Sequence, residues 1–467
     1  MIGRNAMALV ASQVVTKALN LAVAVVLVRW LGAEELGRYA YVLAFCFPFG
    51  ALADFGVATL CIREASVHRE RAGAIVSTAR RLAGGLSLAA VLVMCVVAVA
   101  TGHESRMLAA IALAGFASLL SAFTLPYLVL LTAREQMRRL SLHRVAGAVA
   151  GSVVTLAVLL AGGGLVALLA AALAVSALML AVARALAGPA RAERSAAAGG
   201  VAAMARQALP FGLLMTGFAL YYRVDMVMIE WMMGPREVGL YAAAYRFLDV
   251  VIVLAASLSG PLFPRLSAVA RARPQEARRL LEDAWRPLLV LGLPLSLGAF
   301  ALAAPLVTAL FGAAFAESAP LLRVLIWGTL PLFWANLAGH ALIAAHRVWP
   351  LVAVYAASAA VNVALNGLLI PRYGATGAAV ATLACEWLNL AVVIALVRGG
   401  FGVSFTAAGL WRYAGAAALM LTAVWAAQGA GVLAAIVAGA ATYAAALWAL
   451  GYLGSPDHVA TKRLLAQ

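Results

Sequence analysis

A few charged side chains lie inside long apolar stretches, where a charge costs several kcal/mol unless it meets a partner or a water-filled space. Lys17 sits midway along the first stretch. Arg223 and Asp225 fall in "YYRVDMVMIE", Arg246 and Asp249 in "AYRFLDVV", Asp54 in "LADFG", and Glu386 is central in a later stretch that Arg323 does not share. Lys17, Arg223 and Arg246 have the chemistry to hold an anionic group, a phosphate or diphosphate, by charge-assisted hydrogen bonds. Asp54, Asp225 and Glu386 have the chemistry for proton or cation coupling, because carboxylates withdrawn from water can exchange protons near neutral pH.

Each assignment has a structural alternative. Arg246 and Asp249 are at i, i+3 on one helix face and can neutralise each other, whereas Arg223 and Asp225 at i, i+2 point apart and need other partners. Arg323, at the start of a stretch, can snorkel to the interface. Asn362 and Asn366 at i, i+4, with Asn389, Asn336 and His340, form a second polar set suited either to sugar hydroxyls or to hydrogen bonds between helices.

The elements that must position these groups follow from composition. The chain has 467 residues, of which 65% are hydrophobic and 11% charged, with mean hydropathy +1.00; soluble domains carry roughly 25% charge. This predicts an all-α integral membrane protein. Fourteen spans of about 20 apolar residues, the length that crosses the hydrocarbon, run from 6–29 and 38–62 through 287–311 to 430–452. The net charge of +16 would raise the question of nucleic acid, but its placement argues for topology. Arg29, Arg38, Arg106, Arg236 and Arg372 lie at one set of loops; apart from the cations within spans, the remaining Arg and Lys lie at the other set. Among those are Arg63, Arg69, Arg71, Arg191, Arg194, Lys462 and Arg463. By the positive-inside rule both termini are then cytoplasmic, with anionic lipid headgroups beside the basic loops.

The N-terminal stretch exceeds the h-region of a signal peptide and is read as the first span. Cys46, Cys61, Cys95 and Cys385 have no metal-type spacing and read as small packing residues.

One stretch occurs twice. "LGAEELGRYA" (31–40) and "MGPREVGLYA" (233–242) align Gly32 with Gly234, Glu35 with Glu237, Gly37 with Gly239, Tyr39 with Tyr241 and Ala40 with Ala242. An offset that long signals a duplicated half-protein rather than a solenoid. An even number of helices per copy preserves orientation, so the copies form a parallel repeat. The expected layout is an N-terminal six-helix lobe at 1–188, a cytoplasmic linker at 189–206, a C-terminal six-helix lobe at 207–400, and a final two helices with a cytoplasmic tail at 401–467. "LAGGGLVALLAA" (160–171) and "IPRYGATGAAVATL" (370–383) echo the duplication, each placing a Gly-rich hairpin before a small-residue helix.

Absent motifs narrow the function. Without G-x-x-x-x-G-K-[ST] the chain cannot drive transport by its own ATP hydrolysis, and there is no H-E-x-x-H, Cys/His cluster or G-x-S-x-G. No catalytic residue, metal or cofactor is expected.

"VRWLGAEELGRYAYVLAFCFPFGALADFGVATLCIRE", "LFGAAFAESAPLLRVL" (310–325), "ALIAAHRVWP" (341–350) and "NGLLIPRYGATGAAVATLACE" (366–386) together resemble Wzx-type polysaccharide flippases of the multidrug/oligosaccharidyl-lipid/polysaccharide exporter superfamily. The resemblance spans nearly the whole chain through loose patterns of Gly, Tyr and apolar residues. It implies two six-helix lobes plus a final pair, alternating access, and export of an undecaprenyl-diphosphate-linked oligosaccharide across the bacterial inner membrane. Polymerase and glycosyltransferases would be the neighbouring partners, and nucleic acid would not. Direction could come from a proton or sodium gradient or from consumption of product outside. A lipid II flippase, a cation-coupled multidrug exporter and a non-transporting scaffold of a synthesis complex are the alternatives.

Overall fold

In the computed structural model, residues 2–58, 60–61, 64, 72–188, 200–405 and 409–452 are described, with side chains from Thr16 onward except Ala18 and Ala72. The linker stretch 189–199, the tail from 453, and Arg63, Arg69, Arg71, Arg191, Arg194, Lys462 and Arg463 lie outside them. Among the described residues all regular structure is helical, and helix occupies each of the fourteen expected spans. Among the described residues ten helices are long and apolar enough to cross a membrane. Two helices comprise two spans each: Ile2–Asp54 breaks at Gly32, and Val348–Phe401 breaks at Gly374.

Several span boundaries differ from expectation, and two of these spans are also broken. The span placed at 38–62 is interrupted at Phe55 and Gly56, with φ of 43° and 71°. The span placed at 287–311 starts earlier, as Pro274–Ala301, and restarts after Leu302 as Ala303–Phe311. Pro274 supplies the preset φ of a first helical residue and Glu276 the favourable negative charge of a first turn.

The duplicated stretch has a duplicated backbone. Gly32 adopts φ 69°, ψ 176° and Gly234 adopts φ 89°, ψ 176°, a region open essentially to glycine alone. A β-carbon at either position would meet no atom within 4 Å. Substitution there tests backbone strain without a clash. Gly32→Ala and Gly234→Ala are each expected to cost roughly 1–3 kcal/mol, by similar amounts, in thermal unfolding of the detergent-solubilised protein. Costs near zero would mean that these breaks do not need glycine.

The chain divides into two compact units, Met1–Glu230 and Trp231–Gln467. In the first, Ser105–Ala133 packs along Ala72–Ala100 and Leu165–Ala187, and Ile2–Asp54 packs along Met137–Leu160. In the second, Thr329–Ala344 packs against Pro235–Ser259, Pro274–Ala301 and Val348–Phe401. The final pair, Leu410–Ala427 and Val432–Ala449, joins Pro274–Ala301 in a core containing Trp285, Tyr413, Tyr443 and Tyr452; the Tyr443 hydroxyl donates to the Val290 carbonyl at 3.0 Å. Packing thus assigns most of Gly200–Met233 to the first unit, while the sequence repeat begins its second copy at 207. One division follows contacts and the other follows duplication.

Each unit also staples the start of its second helix to the start of its fourth. In the first unit Arg106 donates to Glu35 at 2.8 Å, while Tyr41 and His103 share a hydrogen bond. In the second, Arg236 donates to Glu317 at 2.6 Å and Ser318 to the Leu240 carbonyl at 2.8 Å. The ion pair recurs at the equivalent place with its charges exchanged. Hydrogen bonding and attraction from Arg236 hold the Glu317 carboxyl below its usual range. A carboxyl whose folded pKa is depressed stabilises above its unfolded pKa and loses that contribution as pH falls through the folded value. This exposed staple is therefore closed at neutral pH and opens only in acid.

Candidate functional site

In the first unit, Arg223 is half-buried on Gly200–Met233. Its guanidinium carbon lies 4.4 Å from the Tyr222 ring centre and 5.9 Å from that of Phe47, and Nη1 is 3.7 Å from the Met226 sulfur. The Phe218 and Tyr222 rings stack at 5.3 Å and 11°, and Phe47 approaches Tyr222 at 6.1 Å. Ring faces attract a guanidinium without neutralising it. Asp225 is on another side of the helix, 1% exposed, and accepts from the Met226 backbone N–H at 2.7 Å. The i, i+2 spacing separates the two charges as expected. Lys17 is exposed on the first helix.

Asp54 has a local task. Its carboxylate accepts from the Ala58 backbone N–H at 3.2 Å, across the break at Phe55 and Gly56. A short acidic side chain here caps the helix that resumes, as Asp does at helix starts.

In the second unit, Arg246 and Asp249 are both half-buried on Pro235–Ser259, their closest nitrogen and oxygen 3.9 Å apart. That is a loose pair, at the outer limit of a salt bridge. Arg323 is exposed in the last turn of Ser318–Leu325, which suits a snorkelling side chain.

The remaining polar residues gather on the two arms of Val348–Phe401. Asn362 and Asn366 are 1% and 0% exposed, and the Asn366 amide donates to the Asn362 oxygen at 2.7 Å. Glu386 and Asn389, each 3% exposed, are one turn apart on the other arm. Asn389 hydrogen-bonds Tyr355, and Glu386 is near enough to Tyr355 to act on it electrostatically. The Tyr241 hydroxyl and Thr382 Oγ1 are 3.2 Å apart. These contacts join arm to arm and helix to helix, as polar groups do in membrane bundles. On Thr329–Ala344, Asn336 Oδ1 and His340 Nδ1 are buried without a hydrogen-bond partner among the described residues.

Sequence reasoning missed Phe47, Phe218 and Tyr222 around Arg223, and Tyr355 and Thr382 in the second unit. Phe218 and Tyr222, at i, i+4 beside Arg223, carried a local signal; Phe47 comes from a different helix and carried none. Cys46, Cys61 and Cys385 are buried and Cys95 is half-buried, which suits small packing residues. Among the described residues no cluster of His, Cys, Asp and Glu could hold a metal ion.

Apolar helices of spanning length in two compact units, with cations and carboxylates within them, fit a multi-pass membrane transporter. Residues 2–270 match the profile of the polysaccharide biosynthesis proteins, and residues 210–368 that of the MatE family. The chain belongs to the polysaccharide biosynthesis protein family, within the multidrug/oligosaccharidyl-lipid/polysaccharide exporter superfamily. Solved structures share the fold at low identity. The lipid II flippase MurJ in an inward closed conformation matches with TM-score 0.76 and 14% identity, covering 95% of this chain and 97% of that one. An inward-facing multidrug resistance MATE transporter matches with TM-score 0.62 and 15% identity, over 83% and 94%. A Pyrococcus furiosus transporter of the superfamily, described by the reverse polarity of its binding pocket, matches with TM-score 0.60 and 15% identity, over 86% and 95%. No curated protein sequence matches the chain.

Proposed function

We propose that the chain is a flippase that carries a polyprenyl-diphosphate-linked oligosaccharide across the bacterial inner membrane by alternating access, with both termini cytoplasmic. Membership of the polysaccharide biosynthesis family over residues 2–270 carries this reading. Lys17, Arg223 and Arg246 meet the diphosphate, while the polyprenyl tail stays in lipid. The Arg223 guanidinium, braced on the Tyr222 and Phe47 rings, offers charge-assisted donors that suit an anionic head group rather than an organic cation. Asp54, Asp225 or Glu386 is the coupling carboxylate if a proton or sodium gradient sets direction; otherwise removal of product outside pulls the flux. The chain itself performs no catalytic step, and the enzymes that build and polymerise the glycan are its partners.

The test is reconstitution into liposomes with a fluorescent polyprenyl-diphosphate sugar. Protein-dependent movement between leaflets is expected. No movement, together with efflux of organic cations by the same preparation, would replace this reading with a drug exporter; movement of lipid II alone would narrow it to a peptidoglycan precursor flippase.

A further inference from the structure

The second unit contains a cavity of about 220 Å³ between Pro274–Ala301, Thr329–Ala344 and the second arm of Val348–Phe401. Trp285, Trp334, Leu337, Leu390, Ile394 and Phe405 form its walls. The Trp285 ring lies 6.0 Å from Trp334 and 5.6 Å from Phe405. Trp334 spends its N–H donor on the Trp285 carbonyl at 3.0 Å, and an indole has no second polar group to offer a ligand. The space is smaller than the roughly 300–1,000 Å³ of small-molecule sites. It is a slot for a slender apolar chain rather than for a sugar.

The rim has the opposite character. Arg398 lines the slot with its guanidinium 5.5 Å from the Phe405 ring centre, and Arg286 stands 5.8 Å from that of Trp285. Arg347 lies so close over Gly400 that a β-carbon there would collide with it. Arg278 reaches Ser404 Oγ at 3.3 Å and Glu282 at 2.8 Å. Glu282 also accepts from the Ser404 backbone N–H at 2.8 Å, so it is occupied in pinning the loop to the helix. Four arginines against Glu282 and neighbouring Asp283 leave the rim positive.

We propose that this slot is a binding site for an anionic phospholipid of the cytoplasmic leaflet, one acyl chain lying between Trp334 and Phe405 and the phosphate held by Arg398, Arg347 and Arg278. Charge complementarity selects the occupant: basic pockets between membrane helices hold anionic head groups, and the aromatic belt sits at head-group depth. The site is independent of the transported cargo and would serve equally in any transporter of this fold that carried these residues.

Native mass spectrometry of the full-length protein, titrated with phosphatidylglycerol, phosphatidylethanolamine or undecaprenyl phosphate, tests the assignment. Phosphatidylglycerol is expected to bind in preference to phosphatidylethanolamine. Arg398→Gln and Arg347→Gln should each weaken it about fivefold, the effect of one basic residue near an anionic surface. Ile394→Trp, which fills the slot without touching the rim, should weaken it as well; Ala338→Phe is the second filling variant, should the first fold poorly. Equal binding of the two phospholipids, or full binding by both filling variants, would overturn the proposal. Displacement of phosphatidylglycerol by equimolar undecaprenyl phosphate would also overturn it, by making the slot a seat for the polyprenyl tail.

Discussion

Arg223→Ala is expected to slow movement of a polyprenyl-diphosphate sugar roughly a hundredfold, with the protein still folded. Removing one partner of a desolvated charge pair costs about 2–5 kcal/mol, and about 2.7 kcal/mol is two decades. Arg223 is half-buried against Tyr222 and Phe47, so the alanine variant should lose the anion contact and leave the helix intact. Arg223→Lys separates charge from shape. It keeps the cation but loses the planar fork and the stacking on Tyr222, so a loss of about fivefold, roughly 1 kcal/mol, is expected. Arg223→Glu should abolish flux, because two anions would then share one desolvated site. Initial flipping rates at equal reconstituted protein give the comparison. Equal rates for wild type and Arg223→Ala would remove this residue from the cargo path, as a non-transporting scaffold also requires.

The parts of the architecture legible in the sequence are those written locally. Gly32 and Gly234 announce the duplication because each takes a backbone conformation that only glycine tolerates, and that requirement keeps the residue type visible in both copies. The i, i+3 spacing of Arg246 and Asp249 and the i, i+4 spacing of Asn362 and Asn366 are helix geometry, and both pairs meet. Contacts between distant helices leave no such trace. Phe47 meets Arg223 from another helix, and the aromatic slot beside Arg398 assembles three helices and a loop. The staple joining Glu35 to Arg106 in one unit and Arg236 to Glu317 in the other stays hidden for a further reason. Glu35 aligns with Glu237, but the second copy builds its staple from the neighbouring Arg236, so the charges exchange sign and the alignment does not show the shared interaction. Asp54 shows the limit from the other side: its carboxylate accepts a backbone hydrogen bond across a helix break that the hydropathy pattern did not reveal.

That break gives the largest effect expected on stability. Where the chain turns at Phe55 and Gly56, the Gly200–Met233 helix crosses it within the first unit, and each segment places a phenylalanine against the other's glycine. A β-carbon at Gly212 would come within 2.5–2.7 Å of three atoms of the Phe55 ring. At Gly56 it would be 2.6 Å from the Phe211 β-carbon and 3.0 Å from the Gly212 nitrogen. The two contacts differ in what can yield: a ring can rotate away, but a β-carbon and a backbone nitrogen move only with their helix. Gly56→Ala combines overpacking, about 1–3 kcal/mol, with a φ of 71° that costs an alanine about 1–3 kcal/mol more. Gly212→Ala carries only the overpacking. Phe55→Ala should therefore rescue Gly212→Ala and leave Gly56→Ala as unstable as before, an asymmetry that thermal unfolding of the three single and two double variants in detergent would reveal. Rescue of both by Phe55→Ala would place the clash on the ring alone, and wild-type stability for Gly212→Ala would mean that the two helices do not approach this closely.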